Sequence, residues 1–336
     1  MRRIGIVGCG GIARVHAWVL SQLDDIKITA LCDIVPEHAQ GFKEEWNLKD
    51  AQIFSNLEDM LLQGNLDGIH ICAPHVCHVP MAVLTLQKGL DVFMEKPVAI
   101  STEQLKLLQR IEAASSAHLG ICFQNRYNTS TRKLDELVAS GHYGKVLGGK
   151  ASVTWRRDEN YYAGSPWKGK WETEGGGALI NQSIHTLDLL LRYLGEPTKI
   201  EATIANHHTS EAIEVEDTVE AWLEFPDGKR GCFYASNGYV TDAPISLELQ
   251  CEKARLLLTE NKIFIFENSK VQMIPCEENE GIGKSYWGVG HLSCIRDFYE
   301  CIIQGKKFPN DLQSAMNTTT VALEIYHEGR KTLWNR

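Results

Sequence analysis

Apolar segments alternate with amphipathic segments along the first third of the chain. Six short apolar segments lack a regular alternation of polar residues and stand at residues 3–7, 26–32, 53–54, 68–72, 90–95 and 118–124. Segments with helical spacing of their hydrophobic residues separate them. Strands of this kind form parallel sheets that helices cover on both faces. The pattern therefore predicts a doubly wound α/β domain over residues 1–123, with right-handed crossovers.

From Gly144 onward, strand-like segments joined by turns replace this pattern. Asp227-Gly228 stands between two of these segments and is a strong hairpin signal. Helical periodicity recurs in three places, at residues 178–194, 290–304 and 311–330. We expect these helices to cover one face of a sheet. Residues 124–336 are therefore predicted to form a second, α+β domain with a largely antiparallel sheet.

The acidic composition narrows the classes of partner. The 336 residues carry a formal net charge of -9, whereas binding to nucleic acid needs a basic surface. No run of about 18 apolar residues is present, so no membrane span is expected. The N-terminal segment leads at once into a glycine-rich turn and is predicted to be a first strand rather than a secretion signal. We therefore expect no nucleic-acid partner and no membrane association.

The ten cysteines show no pattern of disulfides or metal ligands. No two of them form a C-x-x-C pair, and several lie in apolar segments, where free cysteine acts as a small hydrophobic residue. Cys72 and Cys77 lie near His75 and His78, but this spacing fits no standard zinc site. The sequence thus predicts reduced cysteines, a cytoplasmic location and no bound metal.

A glycine-rich turn follows the first strand, in the order Gly8-Cys9-Gly10-Gly11-Ile12-Ala13. This matches G-x-G-x-x-[G/A], in which the first glycine permits a tight turn and the second lets the backbone approach a pyrophosphate at a helix N-terminus. Asp33 ends the second strand, where a carboxylate binds ribose hydroxyls and repels a 2′-phosphate. The motif predicts NAD, preferred over NADP. The alternative is a tight turn with a helix-capping aspartate.

Two further motifs follow the fourth and fifth strands. Ala73-Pro74-His75 follows one and Glu95-Lys96-Pro97 the other, and doubly wound sheets bind ligands at the carboxyl ends of their strands. The positive charge of an oxidised nicotinamide would oppose the ammonium form of a lysine there and ease proton exchange. Lys96 is therefore the first candidate for catalysis. Pro97 restricts Lys96 to extended geometry and permits a cis peptide bond.

Taken together, these motifs resemble the Gfo/Idh/MocA oxidoreductases, the family of glucose–fructose oxidoreductase and inositol dehydrogenase. The resemblance covers essentially the whole chain and includes residues 8–13, 73–78, 95–97, 124–127 and 175–177. It implies that Lys96 is the active-site lysine and that the second domain carries the substrate site. It also implies a set of cofactor-binding residues: Gly8, Gly10, Gly11, Ile12, Ala13, Asp33, Ala73, Pro74, His75, His78, Glu95, Lys96 and Gln124.

The helix after Gly175-Gly176-Gly177 supplies the second half of the site. His185 is the best general base because the pKa of an ordinary histidine lies near neutrality, and Asn181 shares its helix face. Many family members carry aspartate where this chain has Asn181, so their three-residue relay lacks a charge here. Asp188 either orients His185 or pairs with Arg192. The alternative for His185 is an ordinary polar residue on a buried helix face.

An aromatic and basic segment precedes this helix. Arg156, Tyr161, Trp167 and Lys168 are typical of sugar binding, because aromatic faces pack on sugar C–H groups and cations bind hydroxyls or a carboxylate. These side chains can equally pack an interface or anchor a loop. Arg126 is a candidate substrate contact, with a structural ion pair as the alternative.

The sequence therefore predicts an NAD-dependent oxidoreductase. We expect hydride transfer between a secondary hydroxyl of a sugar, sugar acid or cyclitol and the nicotinamide. Two alternatives remain: a non-catalytic NAD-binding regulator of the same fold, and a dehydrogenase of a non-sugar substrate, since fold alone does not set function. By analogy, an exposed sheet face in the second domain predicts a homo-oligomer, a dimer or a tetramer.

Overall fold

The computed structural model describes residues 1–209, 211–276 and 289–331. Two compact units emerge from the contacts within the chain. The first is Met1–Gln124 with Gly281–Met316, and the second is Asn125–Glu280 with Asn317–Arg336. Each of the two sheets described below belongs to one unit.

The sheet of the first unit has six strands and is parallel throughout. Its strands are β1 Arg2–Val7, β2 Ile26–Cys32, β3 Gln52–Phe54, β4 Gly68–Ile71, β5 Asp91–Met94 and β6 Leu119–Ile121. The crossover helices are α1 Gly11–Leu20, α2 Pro36–Glu45, α3 Leu57–Gln63, α4 His78–Gln87 and α5 Thr102–Ala113. The strand order β3-β2-β1-β4-β5-β6 is that of a Rossmann fold. The predicted doubly wound parallel sheet is confirmed.

The core of this unit explains why these segments form strands. All four residues of β4 and all four of β5 are buried, as parallel strands covered on both faces require. The N-terminal cap of α3 is Asn56, whose side chain accepts a bond from the N–H of Asp59, and Ser101 caps α5 in the same way through Gln104. Caps of this kind satisfy N–H groups that have no partner within the helix.

One helix near the C-terminal end of the chain packs on a different unit from the one predicted. Helix α9, Gly290–Gln304, was expected to cover the second sheet, but it belongs to the first unit and packs on α1. The reason is aromatic packing: the Phe298 ring lies 5.2 Å from that of Phe93 on β5 and 5.3 Å from that of Phe308. Hydrophobic spacing predicted this helix, but the spacing is the same for either core.

The second unit is an α+β unit with an eight-stranded, largely antiparallel sheet, as predicted. The strands are β7 Val146–Thr154, β8 Lys199–Ala205, β9 Thr218–Glu224, β10 Arg230–Ser236, β11 Ser246–Cys251, β12 Arg255–Thr259, β13 Lys262–Glu267 and β14 Lys270–Pro275. Their order is β14-β13-β12-β11-β7-β10-β9-β8, and the pair of β7 with β10 is parallel. The helices are α6 Thr129–Ala139, α7 Glu159–Ala163, α8 Ile184–Leu194 and α10 Leu312–Lys331, of which α10 begins in the first unit.

One face of this sheet carries the core of the second unit. Helix α8 packs against β7, β10 and β11, and the row Leu223, Gly231, Gly149, Leu249 and Leu256 runs along the covered face. Leu223, Leu249 and Leu256 are fully buried. Alternation places the intervening residues on the opposite face, where Trp222 and Met273 are exposed. None of the described helices is both long and apolar enough to cross a membrane.

Candidate active site

The glycine-rich turn between β1 and α1 has the geometry of an anion site. Gly8 has φ +85°, and a Cβ there would lie 2.7 Å from the carbonyl oxygen of Cys72, so only glycine fits. A Cβ at Gly10 or Gly11 would meet nothing within 4 Å. Gly10 caps α1 without any side-chain hydrogen bond, while Ala13 is fully buried against the sheet. The turn thus presents the backbone of a helix N-terminus to open space.

Asp33 lies beside this turn, at the end of β2. Its Oδ2 accepts a hydrogen bond from the N–H of Cys9 at 2.9 Å, and its Oδ1 accepts one from the N–H of Val35 at 2.9 Å. The carboxylate is therefore held in place by the turn itself. The next side chain, Ile34, is 86% exposed and apolar, so the residue after Asp33 offers no cation to a 2′-phosphate.

These features fit a dinucleotide. Open space at Gly10 and Gly11 admits a pyrophosphate, the start of α1 at Gly11 and Ile12 supplies N–H donors, and Asp33 supplies ribose acceptors. A bound nicotinamide coenzyme would contribute hydride acceptance. The remaining residues predicted to contact the cofactor also belong to the first unit: Ala73, Pro74, His75, His78, Glu95, Lys96 and Gln124.

Lys96 lies two residues after the end of β5 and is half-buried. The peptide bond between Lys96 and Pro97 is cis. Buried His78 connects the two strand-end motifs, because its Nδ1 lies 2.7 Å from the carbonyl oxygen of Pro97 and its Nε2 lies 3.0 Å from that of Ala73. Burial lowers the pKa of His78, although both carbonyls oppose this effect. His78 therefore links the backbone of the two motifs next to Lys96.

Glu95, the neighbour of Lys96, ends a buried chain of polar side chains. Its Oε1 lies 3.0 Å from Nε2 of His16; Nδ1 of His16 lies 2.8 Å from Nδ1 of His70; and Nε2 of His70 lies 2.7 Å from the Tyr299 hydroxyl on α9. Burial alone would raise the pKa of Glu95, but His16 and the charges of His291 and Lys96 hold it well below its usual range. Glu95 is therefore a fixed buried anion beside Lys96.

Three side chains that could bind a metal ion lie close together in the same region. Ligand atoms of His16, Glu95 and Cys122 lie within 4.8 Å of one another. Burial and contacts with Cys294 and Glu95 raise the pKa of the Cys122 thiol well above its ordinary value, whereas metals bind the thiolate. Within the described part of the chain, this group is better explained as a hydrogen-bonded network than as a metal site.

The buried histidines predict sensitivity to acid. Burial lowers the pKa of His291 to about 4, against about 6.5 in an unfolded chain. Since the unfolded state then binds more protons between these two values, the free energy of unfolding should fall as pH falls through that window. We expect His291→Gln to flatten this slope, measured as urea midpoint against pH. The exposed His142→Gln should retain the wild-type slope; an unchanged slope in His291→Gln would contradict the account.

In the second unit, the triple glycine leads into a π-helical turn, Ala178–Ser183, that continues as α8. A Cβ at Gly176 would lie 2.0 Å from the Tyr326 hydroxyl oxygen, and one at Gly177 would lie 2.1 Å from the Glu216 carbonyl oxygen. The Glu216 carboxylate accepts bonds from the N–H groups of Gly177 at 2.8 Å and Leu179 at 2.9 Å. Only glycine therefore fits at positions 176 and 177, where the chain packs closely at the start of the helix.

Asn181 and His185 lie four residues apart across this π-to-α junction, and both are half-buried. Solvent-accessible surface remains on each, as a group that meets a substrate needs. The Asn181 Nδ2 donates to Oε1 of Glu174 at 2.5 Å, and Glu174 is fully buried. The amide of Asn181, which we predicted to share a helix face with His185, is thus hydrogen-bonded to the buried carboxylate of Glu174.

Arg126 and Asp188 form a buried ion pair. The Arg126 Nε donates to Oδ2 of Asp188 at 2.7 Å and its Nη2 donates to Oδ1 at 2.5 Å; the Thr318 hydroxyl donates to Oδ1 at 2.7 Å. The alternative pairing of Asp188 with Arg192 is wrong, because Arg192 pairs with Asp135 at 2.9 Å. Arg126 thus forms a structural ion pair, while its contact with substrate and an orienting role of Asp188 toward His185 stay predictions.

This pair predicts a large loss of stability on removal of one partner. Asp188→Asn leaves the Arg126 guanidinium buried without its counter-ion, which should lower the free energy of unfolding by about 3–5 kcal/mol. Asp135→Asn breaks the more exposed pair with Arg192 and should cost within about 1 kcal/mol. Urea unfolding of both variants makes the comparison. Equal losses in the two variants would rule out a buried, tightly coupled pair.

Three residues of the aromatic and basic segment form a group that contacts Gln182, the residue after Asn181. The Gln182 Nε2 donates to the Tyr161 hydroxyl at 3.1 Å. The Lys168 Nζ lies 3.9 Å from the centre of the Tyr161 ring and 5.9 Å from that of Trp167, distances of cation–π contacts. Tyr161, Trp167 and Lys168 therefore form one group at the start of the helix that carries His185.

Arg156 lies in the same segment but has other contacts. Its backbone N–H donates to Asp242 at 2.8 Å, and its guanidinium lies 3.6 Å from the Asp158 carboxylate. The neighbouring Arg157 is buried and also pairs with Asp242, at 2.9 Å. Arg156 is thus the exposed member of the two arginines, and its contact with substrate stays a prediction.

Two family models match the two units in order. Residues 2–123 match the model described as "Oxidoreductase family, NAD-binding Rossmann fold", and residues 131–257 match the GFO/IDH/MocA C-terminal domain. The chain belongs to the Gfo/Idh/MocA oxidoreductase family. The resemblance found in the sequence motifs is confirmed, and the glycine-rich turn is that of an NAD-binding domain.

Two of the relatives are named as dehydrogenases of sugars. The chain is 30% identical to D-glucoside 3-dehydrogenase of Escherichia coli K12 over 199 residues. This aligned segment covers 58% of this chain and 54% of the relative. It is 27% identical to glucose-6-phosphate 3-dehydrogenase of Bacillus subtilis 168 over 201 residues, covering 56% and 53%. The chain thus spans about half the length of these two relatives.

A solved structure matches over nearly the full length. The WlbA dehydrogenase from Bordetella pertussis, in complex with NADH and UDP-GlcNAcA, is 26% identical, with a TM-score of 0.85 and coverage of 98% of this chain and 97% of that one. Levoglucosan dehydrogenase, with NADH and levoglucosan, has a TM-score of 0.85 at 14% identity and shares the fold. Both units therefore have counterparts in the Gfo/Idh/MocA fold.

The sequence motifs missed three features of the site. Glu174, the buried partner of Asn181, carried one usable signal: it is the acid directly before the triple glycine. The partners of Glu95 and Asp188 carried none, since they lie 79 and 62 residues away along the chain. Only the folded chain brings these groups together.

Proposed function

We propose that this chain is an NAD-dependent oxidoreductase that transfers a hydride between a secondary hydroxyl of a sugar, sugar acid or cyclitol and the nicotinamide ring. The observation that carries the proposal is the placement of Lys96 at the strand end beside a dinucleotide turn. The half-buried His185 of the second unit adds a second proton-transfer group. The sugar dehydrogenases among the relatives support the substrate class.

Proton transfer falls to two side chains in this proposal. His185 takes the hydroxyl proton as general base, and Lys96 donates a hydrogen bond to the same oxygen, which stabilises its developing negative charge. The C–H hydrogen leaves as hydride while the C–O bond becomes a carbonyl; when bound, NAD accepts that hydride. Glu95 keeps a buried negative charge beside Lys96, which balances the ammonium charge.

NAD is the proposed coenzyme, in preference to NADP. Asp33 places a carboxylate where NADP would carry a phosphate, and exposed Ile34 supplies no cation to offset the repulsion.

We also propose a cytoplasmic protein that forms a dimer or tetramer through the open face of the second sheet. Trp222, Leu257, Phe264 and Met273 line one row of that face, and light scattering should give a mass above one chain.

A coupled binding and activity experiment tests the proposal. Titration with NAD and NADP should give tighter binding of NAD, and NADH should appear with at least one member of a panel of sugars, sugar acids and cyclitols. The product is expected to be a ketone at a former secondary carbinol, identified by NMR. Tight NAD binding with no turnover on the whole panel would favour a regulator, and the enzyme proposal would fail.

A further inference from the structure

A buried carboxylate lies beside the π-helical turn that carries Asn181. Glu174 is 0% exposed. Its Oε1 accepts from Nδ2 of Asn181 at 2.5 Å, and its Oε2 accepts from the backbone N–H of Gly169 at 2.5 Å. Both oxygens of this buried carboxylate therefore accept hydrogen bonds, as buried polar groups require.

The surrounding turn is built to hold this carboxylate. The N–H of Glu174 donates to the carbonyl oxygen of Lys170 at 2.9 Å, so residues 170–174 close a single hydrogen-bonded turn. Gly169 has φ +77°, and a Cβ there would lie 2.6 Å from the Ile213 side chain. Only glycine allows the Gly169 N–H to point back at Glu174 in this packing. The chain therefore fixes the position of the carboxylate by backbone geometry.

The bond to Glu174 also fixes the orientation of Asn181. Because Nδ2 points at Glu174, the amide oxygen Oδ1 lies at the other end of the amide plane. An amide that donates to a carboxylate is polarised, and its carbonyl oxygen becomes a stronger acceptor. Asn181 thus presents an electron-rich oxygen on the helix face that it shares with His185.

We propose that Glu174 is a positioning residue that supplies, through Asn181, the negative charge of the proton-transfer site. The Glu174–Asn181 pair then works as one extended carboxylate: Asn181 makes the contacts on the substrate side, and Glu174 holds the charge in the interior. This charge stabilises the imidazolium that forms when His185 takes the substrate proton. The inference rests on the proposed function, because it assigns a role to Glu174 in the same reaction.

Other ionisable groups face the same region and have different partners. Glu216 is also buried, but it accepts bonds from the helix start and from the Tyr326 hydroxyl at 2.9 Å. Burial raises the pKa of Glu216 to about 7, against its hydrogen bonds with the backbone. Tyr162 and Tyr326 also lie near Glu174, whose charge adds to burial in raising the pKa of both hydroxyls.

Two variants separate charge from hydrogen bonding. In Glu174→Gln, the new amide oxygen can accept from only one of the two donors, Gly169 or Asn181, and the charge is lost. In the double variant Glu174→Gln with Asn181→Asp, the glutamine accepts from Gly169 and donates to the new aspartate. The double variant therefore keeps every bond of the pair and moves the charge by one side chain.

The first readout does not depend on turnover. NMR titration of the His185 ring, assigned with His185→Gln, should show its pKa about one unit lower in Glu174→Gln than in the wild type, because a nearby negative charge favours imidazolium. The double variant should bring the pKa back to the wild-type value or above. Glu172→Gln removes an exposed carboxylate two residues away and should leave the pKa unchanged.

The second readout is turnover on the best sugar of the panel. We expect kcat to fall about 10- to 100-fold in Glu174→Gln, to recover most of this loss in the double variant, and to stay at the wild-type level in Glu172→Gln. A folded Glu174→Gln variant with unchanged kcat and His185 pKa would overturn the inference. So would a folded double variant as impaired as the single one. If the wild type oxidises no sugar, the proposed function fails, while the His185 titration still decides the role of Glu174.

Discussion

Lys96→Met is expected to lower kcat by about 10³-fold while the protein stays folded and still binds NAD. Lys96 is the cation at the end of β5, and methionine keeps much of its length but loses both the charge and the hydrogen bond to the substrate oxygen. Loss of a proton-transfer or charge-stabilising group costs between about 10² and 10⁴ in rate. Steady-state NADH formation on the best sugar of the panel measures the effect.

A surface lysine of the same unit provides the control. Lys106 lies exposed on α5, so Lys106→Met makes the same chemical change away from the strand ends and should keep the wild-type rate. NAD titration of both variants separates a loss of chemistry from a loss of coenzyme binding. Wild-type turnover in folded Lys96→Met would remove the lysine from the mechanism.

His185→Gln is expected to lower kcat by about 10²- to 10³-fold and to change its dependence on pH. Glutamine retains a hydrogen-bonding side chain of similar reach but cannot take a proton. In the wild type, kcat/KM should fall on the acid side as His185 becomes protonated, because only the neutral ring accepts the substrate proton. The variant should lose that acid limb.

His142→Gln is the matched control for this change. His142 is an exposed histidine of the same unit, and its replacement should leave both the rate and the pH profile as in the wild type. The acid limb is compared only at pH values where both proteins are still folded, because the buried histidines destabilise the fold in acid. If folded His185→Gln keeps the wild-type rate and acid limb, another group is the base.

Much of the fold was readable from the hydrophobic pattern, because most strands are buried on at least one face. The segment 26–32 was predicted as a strand and is β2 with the same bounds. Strand β14, Lys270–Pro275, was missed, since five of its six residues are exposed and no alternation marks it. The π-helical turn was predicted as ordinary helix, because spacing alone does not distinguish an extra residue per turn.

In the candidate site, too, some features were predictable from the sequence and others were not. Local motifs located the glycine-rich turn, Lys96 and His185, because each is defined by neighbours in the chain. Pairings depend on the folded chain, as the Arg126–Asp188 pair shows: the local i+4 rule offered Arg192, but Arg126 gives Asp188 a buried, two-point partner. The charge missing at Asn181 was visible in the sequence, whereas its compensation by Glu174 was not.

Transfer of deuterium from the substrate carbon to the nicotinamide is the most direct test of the central claim. The sugar with the highest turnover, deuterated at the oxidised carbon, is incubated with NAD and the wild-type protein, Lys96→Met or His185→Gln, and the coenzyme is analysed by mass spectrometry. The account predicts deuterated NADH from the wild type and at most a small fraction of it from the two variants in the same time. Undiminished transfer in both variants, or none in the wild type, would contradict it.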